Sequence, residues 1–529
     1  MTVSAPPQPR RRLAFSAAIF AVATALSRVA GLAREVVAAS FFGTSAAASA
    51  FTFASQIPNL MANLFAQAAL SAAFVPVFTD LLQQGRRREA FRLASTLFWI
   101  VLIALGAITA LGIVLAGVIL PAFSGSHFDG SLAAALTQIM FPVVLALGLM
   151  GVFVGILQSY DEFSIPALSP VVWNAVILIL LVVLHHEFRR EIYAYAWAWL
   201  IASVVQFAMV AAALKRIDFR LRFEFNWRDP RVRQVFVLML PVTIGLGIVN
   251  LDSLINSTFG ALVNKEGPRA IQFAFLIYML PQGVFSVAVS TVLFPTLSRQ
   301  AARRAPGELR RTLGNGMRQI NLLLIPCAAG LMVLTTPIVR LVFQHGQFNA
   351  TSTHLTSIAL FWFAWSLPFA GLNLLLTRTF FAVQRPWIPT KLAGINMIVD
   401  IILSVGLYKP LGIAGLVIGT AVANIVMTAL QLRRMRAGLG GRLDGHQTLM
   451  ITARVLIAAV VMAAIARGIW VGLDHVVGLS LIGQIVSVGV ALAVAAAVYG
   501  KLVLVMRIPE ARQIRQLVLG RLMGRPATS

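Results

Sequence analysis

Fourteen apolar stretches, each twenty residues or longer, divide the chain: 13–42, 50–82, 93–120, 132–159, 166–186, 193–214, 234–263, 270–298, 315–338, 354–382, 388–407, 411–432, 449–472 and 477–506. About 20 residues of helix cross a hydrocarbon core roughly 30 Å thick. Inside that core every backbone N–H and C=O must be satisfied within the chain. So many helix-length blocks leave one fold class open, an all-α polytopic membrane protein. A set of soluble domains is excluded, because 59% of the residues are hydrophobic and 12% charged, against about 25% charged in soluble domains.

The net charge of +25 suggests nucleic acid only until its distribution is read. Lys and Arg gather in alternate loops: 32 lie on the side of the N-terminus and six on the other, with five inside spans. That is the positive-inside pattern of a chain with an even number of spans. It predicts a multi-pass protein of the cell inner (cytoplasmic) membrane, with both termini cytoplasmic and no nucleic-acid partner. Arg10–Arg12 followed by an apolar run resembles a secretory or twin-arginine signal. The run continues past Arg28 and Arg34 to Phe42 with no polar start after it, so it reads as an uncleaved first span. The single cysteine, Cys327, sits in an apolar run and rules out a disulfide framework or thiolate cluster.

Two helix-pair patterns recur about 220 residues apart. QIPNLMANLFAQAALSAAFVPVFTD (56–80) is echoed by MLPQGVFSVAVSTVLFPTLSR (279–299), and GVFVGILQSYDEFSIPALSP (151–170) by GLNLLLTRTFFAVQRPWIPT (371–390). A repeat of six spans preserves orientation, so the halves should be parallel, as in transporters that bind substrate between repeats. The expected organisation is a cytoplasmic tail (1–12), an N-lobe of six helices (13–214) and a basic cytoplasmic linker (215–233). A C-lobe of six helices (234–435), an added helix pair (449–506) and a basic tail (507–529) follow.

Charge inside the spans is the sharpest functional signal. With the first helix entering near Leu13, Arg28 lies about 22 Å along its axis at about 1.5 Å per residue. An ionised side chain at that depth must face protein or a watery cavity. Arg28 and Arg34 suit an anionic headgroup, since guanidinium pairs with phosphate oxygens in a planar fork. The plainer reading is a structural ion pair across a helix interface. The second helix carries Pro58 and Pro76 with Asn59, Asn63 and Gln67 between them, which should turn it inward. Asn174, Asn373 and similar in-span amides fit ordinary interhelical hydrogen bonds, about 0.6 kcal/mol each. Asp252 and Asp400 are the in-span acids that can take a coupling cation. The histidines lack metal spacing, and no phosphate-binding loop or Ser/His/Asp arrangement is present. The sequence predicts no enzyme, cofactor or resident metal.

Several segments, in order, resemble the MurJ/MviN lipid II flippases of the multidrug/oligosaccharidyl-lipid/polysaccharide exporter superfamily. They are SRVAGLARE with FFG (27–43), IPNL and FAQAALSAAFVPVF (57–78), GILQSYDEFSIPALSPVVWN (155–174), LPQGVFSVAVSTVLFPTLSR (280–299), VFQHGQF (342–348), RTFFAVQRPWIP (378–389) and PLGIAGLVIGTAVAN (410–424). The resemblance implies fourteen helices in two lobes and flipping of lipid II, the undecaprenyl-pyrophosphate-linked peptidoglycan precursor, to the outer leaflet. Its partners would be lipid II, membrane lipids and cell-wall synthesis proteins. The family's first-helix arginines match Arg28 and Arg34. Its second-helix arginine pair falls on Ala62 and Asn63, its acid on Gln67, and an eighth-helix arginine on Leu276. The implied substrate contacts are therefore Arg28, Arg34, Asn59, Asn63 and Gln67. Export of another polyprenyl-linked glycan or a drug, or a transport-inactive scaffold in cell-wall assembly, remain as rivals.

Overall fold

The computed structural model describes residues 8–65, 67–122, 129–184, 187–188, 191–440, 445–478 and 480–512, leaving aside the side chains of 8–21, 63–73, 241–242, 244–246, 248–253, 256 and 477. Among these residues the structure is helical, with no strand, and eleven segments are long and apolar enough to cross a membrane. Each of the fourteen expected spans falls on one helix or on consecutive helices. This is the all-α, multi-span class expected from the sequence. The ends of the chain, 1–7 and 513–529, lie outside the described residues.

The chain divides into two compact units, Met1–Arg269 and Ala270–Ser529. The first contains α1 (Gln8–Phe42), α2 (Ala46–Phe65), α3 (Gln67–Gln83), α4 (Arg87–Ala122), α5 (Gly130–Met140), α6 (Pro142–Ser159), α7 (Ser164–Leu184), α8 (Ile192–Ala213) and α9 (Pro230–Val263). The boundary falls just inside α10 (Gly267–Pro281). Local chemistry sets several of these ends. Asp129 accepts a hydrogen bond from the Leu132 N–H and Asp229 from the Arg231 N–H, each capping orphan donors at a helix start. Pro142 has no N–H to give and splits one long passage into α5 and α6.

Between α8 and α9 the basic linker runs extended along α4. Trp99 Nε1 donates to the Arg222 carbonyl at 2.9 Å, and the Arg222 N–H donates to Ser95 Oγ at 3.2 Å. Helix α9 packs against α2 and α3 within this unit.

The second unit continues from α10 through a π-helical turn (Gln282–Ser286) that follows Pro281. It comprises α11 (Val287–Ala302), α12 (Pro306–Val333), α13 (Thr335–Phe343), α14 (Ala350–Ala382), α15 (Trp387–Leu411), α16 (Ile413–Gly438), α17 (Gly445–Val477) and α18 (Leu481–Val505). Gly412, at φ 58° and ψ −133°, makes the single-residue reversal between α15 and α16 that a side chain would resist. The added pair is built into this unit: α17 packs along α12 around buried Leu322, Ile325, Val455, Ala458 and Met462. Buried Arg318 of α12 pairs with buried Glu510, just beyond α18.

Close packing at Gly371 yields a stability prediction. A Cβ there would lie 2.3 Å from Leu324 Cδ1, 2.7 Å from Ser286 Oγ and 2.9 Å from Ile320 Cγ2. Three neighbours from the π turn and α12 cannot all retreat. Gly371→Ala should cost about 1–3 kcal/mol, read as a lower melting temperature in detergent, whereas Gly394→Ala, with open space around it, should not.

Candidate functional site

The charged site grows from α1. Glu35 lies seven residues before the helix end at Phe42, about 10 Å back along the axis at about 1.5 Å per residue. Its carboxylate is buried, at 5% exposure. Arg34 Nη2 donates to Glu35 Oε1 at 2.6 Å, and Arg269 Nη2 donates to Oε2 at 2.9 Å. The Tyr195 hydroxyl donates to Oε1 at 3.3 Å. One carboxylate is thus shared between two guanidinium groups, and the cluster carries one positive charge in excess.

Neighbouring helices of the first unit fix these groups. From α7, Asn174 Oδ1 accepts from Arg34 Nη1 at 3.0 Å, and the Trp173 ring lies 4.9 Å from the Arg34 guanidinium carbon. From α8, the Tyr195 ring stacks on Phe51 at 4.2 Å and lies 6.0 Å from the Arg269 guanidinium carbon. Trp173 is itself held by donating to Ser203 Oγ at 3.1 Å. Arg34 Nε has no hydrogen-bond partner. An aromatic cage around a hydrogen-bonded guanidinium orients its fork and strips water from it. Such a site can receive an anion.

The turn after α1 meets the turn after α9. Thr44 Oγ1, just after α1, donates to Glu266 Oε2 at 2.7 Å, and the Glu266 N–H donates to Asn264 Oδ1 at 2.9 Å.

The structure brings only part of the sequence-derived set into this cluster. Arg34 belongs to it. Arg28, on the same helix, is exposed and makes no hydrogen bond or ion pair among the described residues. Six residues of helix rotate it about 120° away from Arg34. Asn59 is half-buried on α2, and Ala62 is buried at 3% exposure. The side chains of Asn63, Gln67 and Asp252 lie outside the described residues. Asp400, at 1% exposure, accepts from Thr420 Oγ1 at 3.2 Å, and Ser404 Oγ lies 3.5 Å away. Among the described residues no three His, Cys, Asp or Glu side chains group as metal ligands.

Sequence reasoning missed Arg269, which reads as one more loop residue beside Lys265. Its signal was scarcity, since only six basic residues fall on that side of the chain. Asn174 was legible as an interhelical group but not as the partner of Arg34.

A multi-helix protein with a buried, net-cationic cluster formed between its first helix and the start of α10, and apolar helices throughout, is a membrane transporter by class. Solved structures share its fold. One titled "Lipid II flippase MurJ, inward closed conformation" matches with a TM-score of 0.77 at 22% identity, covering 92% of this chain and 99% of that one. An inward-facing MATE family multidrug transporter of the MOP superfamily matches at 0.64 and 14%, covering 78% and 94%. Residues 38–484 match the family model described as Lipid II flippase MurJ, and the chain belongs to that family. Curated relatives include the lipid II flippase MurJ of Burkholderia cenocepacia, 31% identical over 78% of this chain and 82% of the relative. A probable lipid II flippase MurJ of Rhizobium meliloti is 30% identical over 84% of each.

Proposed function

We propose that this chain is a lipid II flippase of the inner membrane, carrying the undecaprenyl-pyrophosphate-linked precursor from the inner to the outer leaflet by alternating access. The observation that carries the reading is family membership combined with the net-positive Arg34–Glu35–Arg269 cluster. On this reading the pyrophosphate meets Arg28 first, which is exposed and uncommitted. It then competes with Glu35 for Arg34, while Asn59, Asn63 and Gln67 take the sugar-peptide portion and the prenyl tail stays in lipid. Nothing is broken or formed. The work is desolvation and exchange of one anion for another on a fixed guanidinium, driven by the membrane potential (about 2.3 kcal/mol per charge per 100 mV) or by a coupled ion. The 13–214 and 234–435 lobes would rock against each other.

The test is transport of labelled lipid II in reconstituted vesicles, with the Thr44→Cys, Glu266→Cys pair added. Wild type should flip lipid II. The double-cysteine protein should flip it when reduced and stop when oxidised, because the bond would hold shut a turn that must open. Transport unaffected by the cross-link would remove this gate from the mechanism. Loss of the family arginines at Ala62, Asn63 and Leu276 is what favours the scaffold reading, which wild type would support by failing to transport at all.

The orientation follows from the charge bias. A reporter fused after Ser529 should remain cytoplasmic, and one placed in 185–191 should be periplasmic. A periplasmic C-terminus would overturn the fourteen-span reading.

A further inference from the structure

The arginines of the linker between α8 and α9 are what the charge bias requires on that side of the chain. Its aromatic residues are not. Residues 219–228, FRLRFEFNWR, alternate apolar and polar side chains in a segment that belongs to no span. Phe219 is buried, but Phe223, Phe225 and Trp227 stand 79%, 47% and 61% exposed.

The path of this segment gives its depth. The Phe219 ring lies 5.1 Å from Phe91, and the Phe223 ring 5.1 Å from Trp99. Those two α4 residues are about 12 Å apart along the axis at about 1.5 Å per residue, so the chain climbs the helix. Glu224 Oε1 then lies 3.4 Å from Arg92 Nε, which shows that it has turned back. Phe223 is the tip of a re-entrant loop. Arg92 is the last charged residue of α4 before its apolar run, 93–120. That run is about 42 Å long, against a hydrocarbon core of roughly 30 Å. With the run centred on the core, Trp99 falls at the boundary of the hydrocarbon. The tip backbone is equipped for that level, because a backbone group meeting lipid must be paired within the protein. The Arg222 N–H donates to Ser95 Oγ at 3.2 Å, and its carbonyl accepts from Trp99 Nε1 at 2.9 Å. Beside the returning limb opens a groove of about 870 Å³, with Ile100, Trp227, Pro230, Phe236 and Val237 on its apolar walls.

We propose that the aromatic tip of this loop, Phe223 with Phe225 and Trp227, is seated in the interfacial layer of the bilayer, in the leaflet that the charge bias makes cytoplasmic. Aromatic rings are the side chains that collect at that layer, and the apolar groove gives the upper part of an acyl chain a surface to lie on. Burial of ring area holds the loop there, with charge attraction secondary. The inference rests on α4 being a membrane span and not on which molecule the protein carries.

The test uses the full chain carrying Cys327→Ala and one new cysteine, labelled with an environment-sensitive nitrobenzoxadiazole and reconstituted in phosphatidylcholine vesicles. The labelled Phe223→Cys and Phe225→Cys proteins should emit at blue-shifted wavelengths. A lipid nitroxide near the glycerol backbone should quench them several-fold more strongly than the Gly307→Cys protein, whose label sits on an exposed turn. A nitroxide deep in the acyl chain should quench them less than the Leu111→Cys protein, whose label faces lipid on α4. Adding Phe223→Ser and Trp227→Ser to the Phe225→Cys protein should reduce the shallow quenching several-fold. It should leave the melting temperature in detergent unchanged, since both rings are largely exposed. Emission and quenching at 223 and 225 equal to those at 307 would overturn the proposal. So would shielding that appears only with anionic lipid, which would make the arginines the anchor. Shielding seen in native membranes but absent from pure lipid vesicles would overturn it too, and would assign the tip to a protein partner.

Discussion

Glu35→Ala should destabilise the first unit by about 3–5 kcal/mol, the cost of removing one partner from a buried ion pair. The size follows from who is left behind. Arg269, at 1% exposure, and Arg34, with 12% of its side chain exposed, both point at the vanished carboxylate. Two guanidinium groups would then face each other with no anion between them and little access to water. Tyr195 would lose its acceptor at 3.3 Å as well. Glu35→Asp keeps the charge on a shorter arm, so it should retain one of the two ion pairs and fall between. Removing a cation along with the anion should help: Glu35→Ala with Arg269→Met should be more stable than Glu35→Ala alone, a coupling that independent sites would not show. Melting temperatures in detergent at matched lipid content give the ranking. A Glu35→Ala protein that melts with wild type would mean that the cluster is hydrated and loosely held.

The helices of this protein were legible because the bilayer permits few solutions. Apolar length and the 32-to-6 charge bias locate fourteen passages, and each meets a helix in the structure. Interruptions within passages were less visible. Pro142 ends α5 and Pro281 precedes a π turn, yet Pro58, Pro76 and Pro295 sit inside continuous helices. A proline removes one hydrogen bond, and whether the helix breaks there depends on neighbours that a single sequence does not reveal. The site was half legible for a related reason. Arg34 stands out because a charge deep in an apolar run is expensive. Arg269 sits 234 residues from Glu35 and just past a turn, where a charge costs nothing in sequence terms. Only the packing of α1 shows that it is buried. The rings beside the two guanidinium groups, Trp173 and Trp199 at 4.9 and 5.9 Å from Arg34 and Tyr195 at 6.0 Å from Arg269, were hidden by being aromatic among apolar residues.

Arg28→Ala and Arg34→Ala should both abolish lipid II transport, and they should differ in what else they do. Arg28 is exposed and has no partner among the described residues, so its loss removes no contact. It should even ease membrane insertion, by about 2.5–3.5 kcal/mol on translocon scales. Arg34 holds Glu35 Oε1, Asn174 Oδ1 and the Trp173 face together. Its removal should therefore lower the melting temperature as well as transport, although Arg269 still neutralises Glu35. Lysine separates charge from geometry at each position. At 28, where the structure shows no fixed fork, Arg28→Lys should retain a measurable fraction of activity. At 34, a point charge cannot bridge a carboxylate and an amide while lying flat on an indole, so Arg34→Lys should behave nearly as Arg34→Ala. The comparison is complementation of a flippase-depleted strain at matched expression, with melting temperatures measured on the same four variants. Equal rescue by all of them would sink the pyrophosphate site. Rescue by Arg28→Ala but not Arg34→Ala would confine the site to the buried cluster. Failure of wild type itself would turn the reading toward a scaffold or a different polyprenyl-linked cargo.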